Sequence, residues 1–259
     1  MLGIDLAWGE GDGRRPPNET GVVATDGRGR VLDAGWTRGV EATAQWMERW
    51  ASADAVAMVD APLVVDNATG MRECEREVGR RYGRWKVAAN CSNLGMAALA
   101  GVSLVRRAAA DGWRYAAGDH GPPTTGRHLF EVYPYTTLVG APELGYAEAR
   151  PVYKRRPTRL SPAEFRVARA TVCDDLVRRL VDLRAADPPI DLACHPVTAA
   201  LVGEPTPLVD RQVKHREDLI DAVLCAWTGL LWLRHGLARC QVLGADATII
   251  APARPEQRR

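Results

Sequence analysis

The sequence predicts an α/β fold on a mixed sheet in the order βββαβ, with helices on both faces. Three features carry that expectation. The chain opens with three short extended segments joined by tight links. A helical stretch then leads into Ala55–Asp60 (AVAMVD), a continuous apolar run of the kind found in strands buried on both faces. Near the end, a helix from about Arg216 to Leu233 is apolar on nearly every side, as an enclosed helix is.

Taken in order, Leu2, Ile4 and Leu6 alternate with smaller or polar residues, so the first strand shows one apolar face. The Gly-, Pro- and Arg-rich segment from Gly9 to Pro17 breaks the pattern. Thr20–Thr25 reads as a second strand, Asp26–Gly29 as a turn, and Arg30–Trp36 as a third strand, an antiparallel meander. A helix over about Val40–Ala51 places Ala44, Met47 and Trp50 at helical spacing. A right-handed crossover through it makes the Ala55–Asp60 strand parallel to the first and adjacent to it.

The middle reads as helices over Thr69–Arg81 and Met96–Asp111, a loop at Gly118–Arg127, and a fifth strand at His128–Tyr133. Residues 66–127 thus form an inserted helical and loop region, and 141–160 a Pro-rich basic excursion expected to be exposed. Ser161, Pro162 and Glu164 suit the N-cap, N1 and N3 positions of a capping box. The helix after them carries the stripe Phe165, Ala168, Val172, Leu176, Leu180 and Leu183. Cys240–Pro252 adds a last strand or hairpin, and one domain over 1–259 with a sheet of about five strands accounts for the pattern.

At 259 residues and 46% hydrophobic, the chain can bury a core without disulfide or structural metal. Its 34 basic and 32 acidic residues exclude a disordered polyelectrolyte but leave room for a local basic face. No apolar run reaches the length of a membrane span, and MLGIDLAW has no signal-peptide character. The six scattered cysteines form no CxxC and read as reduced thiols in a cytoplasm.

Several acids stand where a neutral residue would be easier to place. Asp5 lies within the first strand, Asp60 ends the buried strand, Glu131 sits in HLFEVYP, and Asp218 and Asp221 share one face of the last helix. Taken singly, each has a structural alternative: an edge-strand position for Asp5, a turn cap for Asp60, an arginine pair for Glu131, the helix dipole for Asp218 and Asp221. Taken together, converging buried carboxylates need a cation or must take up protons. Their hard oxygens suit Mg²⁺ or Mn²⁺, and two such ions are expected, as in two-metal phosphoryl displacement. The carboxylates of Asp5, Asp60 and Asp221 should then lie within about 8 Å of one another.

The motifs GIDLAW, VDAPL, TGMRECE, EVYP and HREDLIDAVLCAW together resemble the DUF429 family, from Gly3 to about Trp232. That resemblance implies a ribonuclease H-like fold and nuclease activity. The pattern H-x-x-D-x-x-D-A is also similar to the last helix of RuvC-type Holliday junction resolvases. This likeness implies that Asp5 is the first-strand acid and that Asp218 and Asp221 are the paired helix acids. Asp60 matches a metal-binding position of the wider fold, with Asp in place of Glu. Glu131 matches the EVYP motif, at a strand end that is not a usual ligand position.

The resulting expectation is a metal-dependent nuclease. Asp5, Asp60 and Asp221 bind metal, Asp218 completes the catalytic set, and Glu131 supports it. Arg72, Glu73 and Glu75 are either substrate or metal contacts or a solvated helix face. Lys214, His215 and Arg216 contact a scissile phosphate, or His215 assists proton transfer, caps the helix or fills a pocket. Arg150, Lys154, Arg155, Arg156 and Arg159 either bind a phosphate backbone or are solvated. Trp85 and Trp113 belong to the core or stack on bases. Gly9, Gly11 and Gly13 lack the order of a phosphate loop.

The expected partner is nucleic acid, DNA or RNA, with no membrane; a homodimer is compatible with the sequence. A non-catalytic nucleic-acid or protein-interaction module on the same fold is the alternative, which measured metal binding would separate. An ATP-using relative ranks last, because it requires a second copy of the fold and none is seen.

Overall fold

The computed structural model describes residues 1–11 and 16–258, so Gly13 lies outside the described residues. Strands β1 (Leu2–Asp5), β2 (Glu19–Thr25) and β3 (Val31–Arg38) form the antiparallel meander read from the sequence. Helix α1 (Gly39–Trp50) crosses over to β4 (Ala55–Val59), which lies parallel to β1. Helices α2 (Glu73–Tyr82) and α3 (Ala100–Ala109) follow, then β5 (Trp113–Tyr115) and β6 (Arg127–Glu131). The chain continues through α4 (Pro134–Gly140), α5 (Pro162–Asp182), α6 (Pro196–Gly203) and α7 (Asp210–His235), and ends with the hairpin β7 (Cys240–Leu243) and β8 (Ile249–Pro252).

The sheet has six strands in the order β3-β2-β1-β4-β6-β5, one more than expected. The extra edge strand, β5, comes from the inserted region and is only three residues long, too short to show a period. The arrangement is a ribonuclease H-like α/β fold, with helices on both faces. Strand β4 is buried at every position, as its unbroken apolar run requires.

Alternation along β1 sorts its side chains between two cores. Leu2 and Ile4 pack with Met47 of α1 and Leu104 of α3. Gly3 turns to the opposite face, against α7. That helix is 26 residues long, about 39 Å at the usual rise, and is buried without interruption from Glu217 to Trp232. It begins six residues earlier than its apolar stretch indicated, because its first two turns are polar apart from the buried Val213. Asp218 and Asp221 therefore lie more than two turns inside it, where the dipole of its N-terminus does not account for them.

The capping box of α5 is present: Ser161 Oγ accepts from the Glu164 N–H at 3.3 Å, and Glu164 Oε2 from the Ser161 N–H at 2.8 Å. Phe165, Leu176, Leu180 and Leu183 of its expected stripe are buried. Ala168 is exposed and Val172 half-buried against the core, while Arg169, paired with Asp210, and Cys173 are buried beside them. Trp85 and Trp113 are both core residues. No helix among the described residues is long and apolar enough to cross a membrane.

Helix α7 sits unusually close to the sheet. A Cβ on Gly3 would lie 2.2 Å from the Ala222 carbonyl oxygen, and one on Gly21 2.1 Å from that of Asp218. Gly3→Ala should therefore destabilise the protein by about 1–3 kcal/mol, as overpacking does. Gly35→Ala, with nothing within 4 Å of its added Cβ, should stay within about 0.5 kcal/mol of wild type. Urea denaturation of the two variants would check the difference; equal stabilities would show that the helix can lift without cost.

Candidate metal and phosphate site

Parallel pairing of β1 with β4 sets Ile4 opposite Val59, so the next residues, Asp5 and Asp60, emerge side by side. The Asp60 N–H donates to the Ile4 carbonyl at 2.8 Å and fixes that register. Helix α7 crosses the same strand ends and delivers Asp221 from above. The result is a trio, Asp5, Asp60 and Asp221, each offering a carboxylate oxygen within 4.8 Å of the others. Asp221 is fully buried and the other two are half-buried. Three hard oxygen donors this close can hold a metal ion.

The electrostatics reflect this crowding. Burial raises the Asp5 carboxyl well above its ordinary value, and the Asp221 charge adds to the effect. Burial likewise pushes Asp60 up to about 7, against the pull of the Lys154 ammonium. Asp218, buried beside them, is also raised, although Lys214 one turn earlier pairs with it and opposes the shift.

The excursion expected to be exposed is folded over this trio. Tyr153 is fully buried and its hydroxyl donates to Asp221 Oδ1 at 2.8 Å, while the Lys154 ammonium pairs with Asp221 Oδ2. Burial works against the Lys154 charge, but Asp221, Asp5 and Asp60 outweigh it and hold the ammonium well above the usual lysine range. Arg156 and Arg159 do remain exposed. Tyr153 was not legible as a site residue. Its only signal was an apolar aromatic in a Pro-rich, basic stretch (PVYKRRP).

A cavity of about 350 Å³ opens above the acids, within the range of small-molecule sites. Its walls carry Trp8, Tyr133 and Tyr135, and the cations Arg150, Lys154, Arg155 and Lys214. Arg150 stacks over the Tyr135 ring at 4.3 Å, and Arg155 donates to Asn90 Oδ1 at 3.0 Å. Ser92, fully buried on the cavity wall, has a hydroxyl oxygen with no hydrogen-bond partner among the described residues.

The remaining candidates divide. Glu131 takes the structural alternative: Arg72 grips it with two hydrogen bonds, at 2.6 and 2.8 Å, and the Leu63 N–H donates to it at 2.9 Å. Arg72 also bonds Glu75 Oε1 at 2.8 Å, and Glu75 Oε2 accepts from the N–H groups of Arg72 and Ser92. Arg72 and Glu75 are thus neither a solvated face nor free ligands. They form a buried clamp that ties α2 to the end of β6 along the cavity wall, while Glu73 is exposed. His215 stacks on Trp36 at 3.4 Å and bonds Glu19 at 2.7 Å, the arrangement of the packed-histidine alternative. Arg216 bonds the Leu201 and Glu204 carbonyls at the end of α6, so it too is structural. Both diverge from Lys214 because consecutive helical residues point about 100° apart. Glu217, buried and pushed up to about 7 chiefly by burial, is an acid that sequence reasoning passed over.

The clamp gives a direct test. Arg72→Met would leave Glu131 and Glu75 buried without their cation and should cost about 3–5 kcal/mol. The loss should shrink toward acid pH, where the stranded carboxyls take up protons. Thermal melts at pH 5 and 8 would check both; a variant as stable as wild type would show the clamp to be dispensable.

A family model described as a protein of unknown function (DUF429) matches residues 3–248. No curated protein and no solved structure matches the chain. The matched span contains β1, β4 and α7, and with them each member of the acidic trio. By that near-complete match, the chain belongs to the DUF429 family.

Proposed function

We propose that the protein is a metal-dependent nuclease that hydrolyses phosphodiester bonds of nucleic acid. The observation that carries this reading is the convergence of Asp5, Asp60 and Asp221 within 4.8 Å beneath a cavity with a basic and aromatic wall. The donor set is all carboxylate oxygen, which suits Mg²⁺ or Mn²⁺ over softer metals. A bound ion supplies charge stabilisation at the scissile phosphate and acidifies water. The expected second ion would have to displace Lys154 from Asp221.

Around that centre the chain's own groups have distinct tasks. Asp218, held by Lys214, orients the attacking water. Arg150 and Arg155 draw the phosphate in, and Trp8, Tyr133 and Tyr135 offer faces on which a base stacks. Water oxygen bonds to phosphorus, the P–O ester bond breaks, and the water proton passes to the leaving alkoxide through the surrounding carboxyls. The free thiols of all six cysteines accord with a cytoplasmic setting.

Two predictions follow the charge of the trio. Asp5→Asn removes one of several mutually repelling carboxylates, so the metal-free variant should melt no lower than wild type. Its response to Mn²⁺ should vanish, whereas Mn²⁺ at a hundredfold excess over Kd should raise the wild-type Tm by roughly 5–10 °C. A panel of DNA, RNA, hybrid and junction substrates with Mg²⁺ or Mn²⁺ should show cleavage by wild type only. Absence of both cleavage and metal response would instead favour an interaction module.

The second concerns pH. Asp60 and Glu217 titrate near 7 when folded, above their unfolded values, so the folded state holds more protons between about pH 4 and 7. Metal-free stability should therefore fall as pH rises through that window. Mn²⁺ affinity should rise over the same window as Asp60 loses its proton. Calorimetric titration at pH 5.5 and 8 checks the sign; equal affinities would remove Asp60 from the ligand set.

A further inference from the structure

Lys154 is placed as part of the acidic centre. Its neighbour Tyr153 is fully buried and bonds the same carboxylate. The segment is held on either side: the Arg150 N–H donates to the Trp85 carbonyl at 3.1 Å and its side chain to that of Lys86 at 2.8 Å, and the Arg155 side chain donates to Asn90 Oδ1 at 3.0 Å. The ammonium therefore enters the cluster on an anchored segment, paired with Asp221 and under the fields of Asp5 and Asp60.

The charges then decide how many ions fit. Asp5, Asp60 and Asp221 carry three negative charges when ionised, and Lys154 offsets one of them. What remains matches one divalent ion. Asp218, a further acid beside them, is already paired with Lys214. Two divalent ions beside both lysines would outweigh the carboxylates of Asp5, Asp60, Asp218 and Asp221 together. Two-metal centres also place their ions about 3.5–4 Å apart, with carboxylates reaching both, and here one oxygen of Asp221 already carries an ammonium.

We infer that Lys154 occupies the place of the second metal ion, so that the site binds one divalent cation per chain and faces the scissile phosphate with that ion and a lysine ammonium. This rests on the metal-binding reading above and revises its ion count. The orphaned hydroxyl of Ser92 on the same wall provides a further polar group for a bound phosphate or its water.

The test is a count of ions on the full-length protein. Isothermal titration of metal-free wild type with MnCl₂ should give one Mn²⁺ per chain, and frozen-solution EPR the spectrum of an isolated ion. Lys154→Met should admit a second Mn²⁺ and give the signature of an exchange-coupled pair; Lys154→Arg should keep the count at one. Two ions in wild type would overturn the inference while leaving the metal site intact, and so would a single ion in a folded Lys154→Met protein. No Mn²⁺ binding by wild type would overturn the metal-binding reading itself. Should Lys154→Met fail to fold, the wild-type count and spectrum still decide.

Discussion

The whole site depends on how closely α7 lies on the sheet. Two glycines make that approach: Gly3 on β1 and Gly21 on β2 face the helix backbone with no side chain between. Helices ordinarily keep a side chain's thickness from the sheet that supports them. Here the missing layer brings a helical carboxylate level with one at a strand end. The trio's spacing is thus set by backbone contact, which no rotamer change can relax. The same contact explains why α7 is buried on every side between the sheet and the elements packed over its outer face.

Such a site forces the surrounding chain to manage charge. Burying carboxylates without compensation is costly, and each acid here is answered differently. Glu131 and Glu75 share Arg72 in a closed set of hydrogen bonds and are saturated. Asp218 has Lys214 from its own helix. Among the described residues, Asp5 and Asp60 pair with no cation of their own and share the field of Lys154 with Asp221. The clamp is therefore scaffold, and the trio is where an added cation has the most to gain.

Much of this was legible because the acids violate local preferences. Asp5 in a strand and Asp221 in an apolar helix stand out against their neighbours, and β4 announces itself by an unbroken apolar run. The partners of those acids were harder to see. Lys154 sits among other basic residues and prolines, where composition reads as solvated loop; only tertiary folding separates it from the exposed Arg156 and Arg159. Arg72 and Glu75 looked like an ordinary polar helix start, since a long-range bond to Glu131 leaves no periodic trace. His215 and Arg216 part from Lys214 because adjacency in sequence is divergence on a helix.

The positions of the trio along the chain have a consequence for biosynthesis. Asp5 and Asp221 are 216 positions apart, so the centre is a contact of very high sequence separation, among the last that a folding chain closes. A ribosome-bound chain can pair β1 with β2 and β4 long before α7 has been made. Until that helix docks, the two strand-end acids stand alone, without the carboxylate that would complete a tight metal site. The capacity to hold a metal ion between all three acids therefore waits for the synthesis and docking of α7, the last long helix in the order of elements.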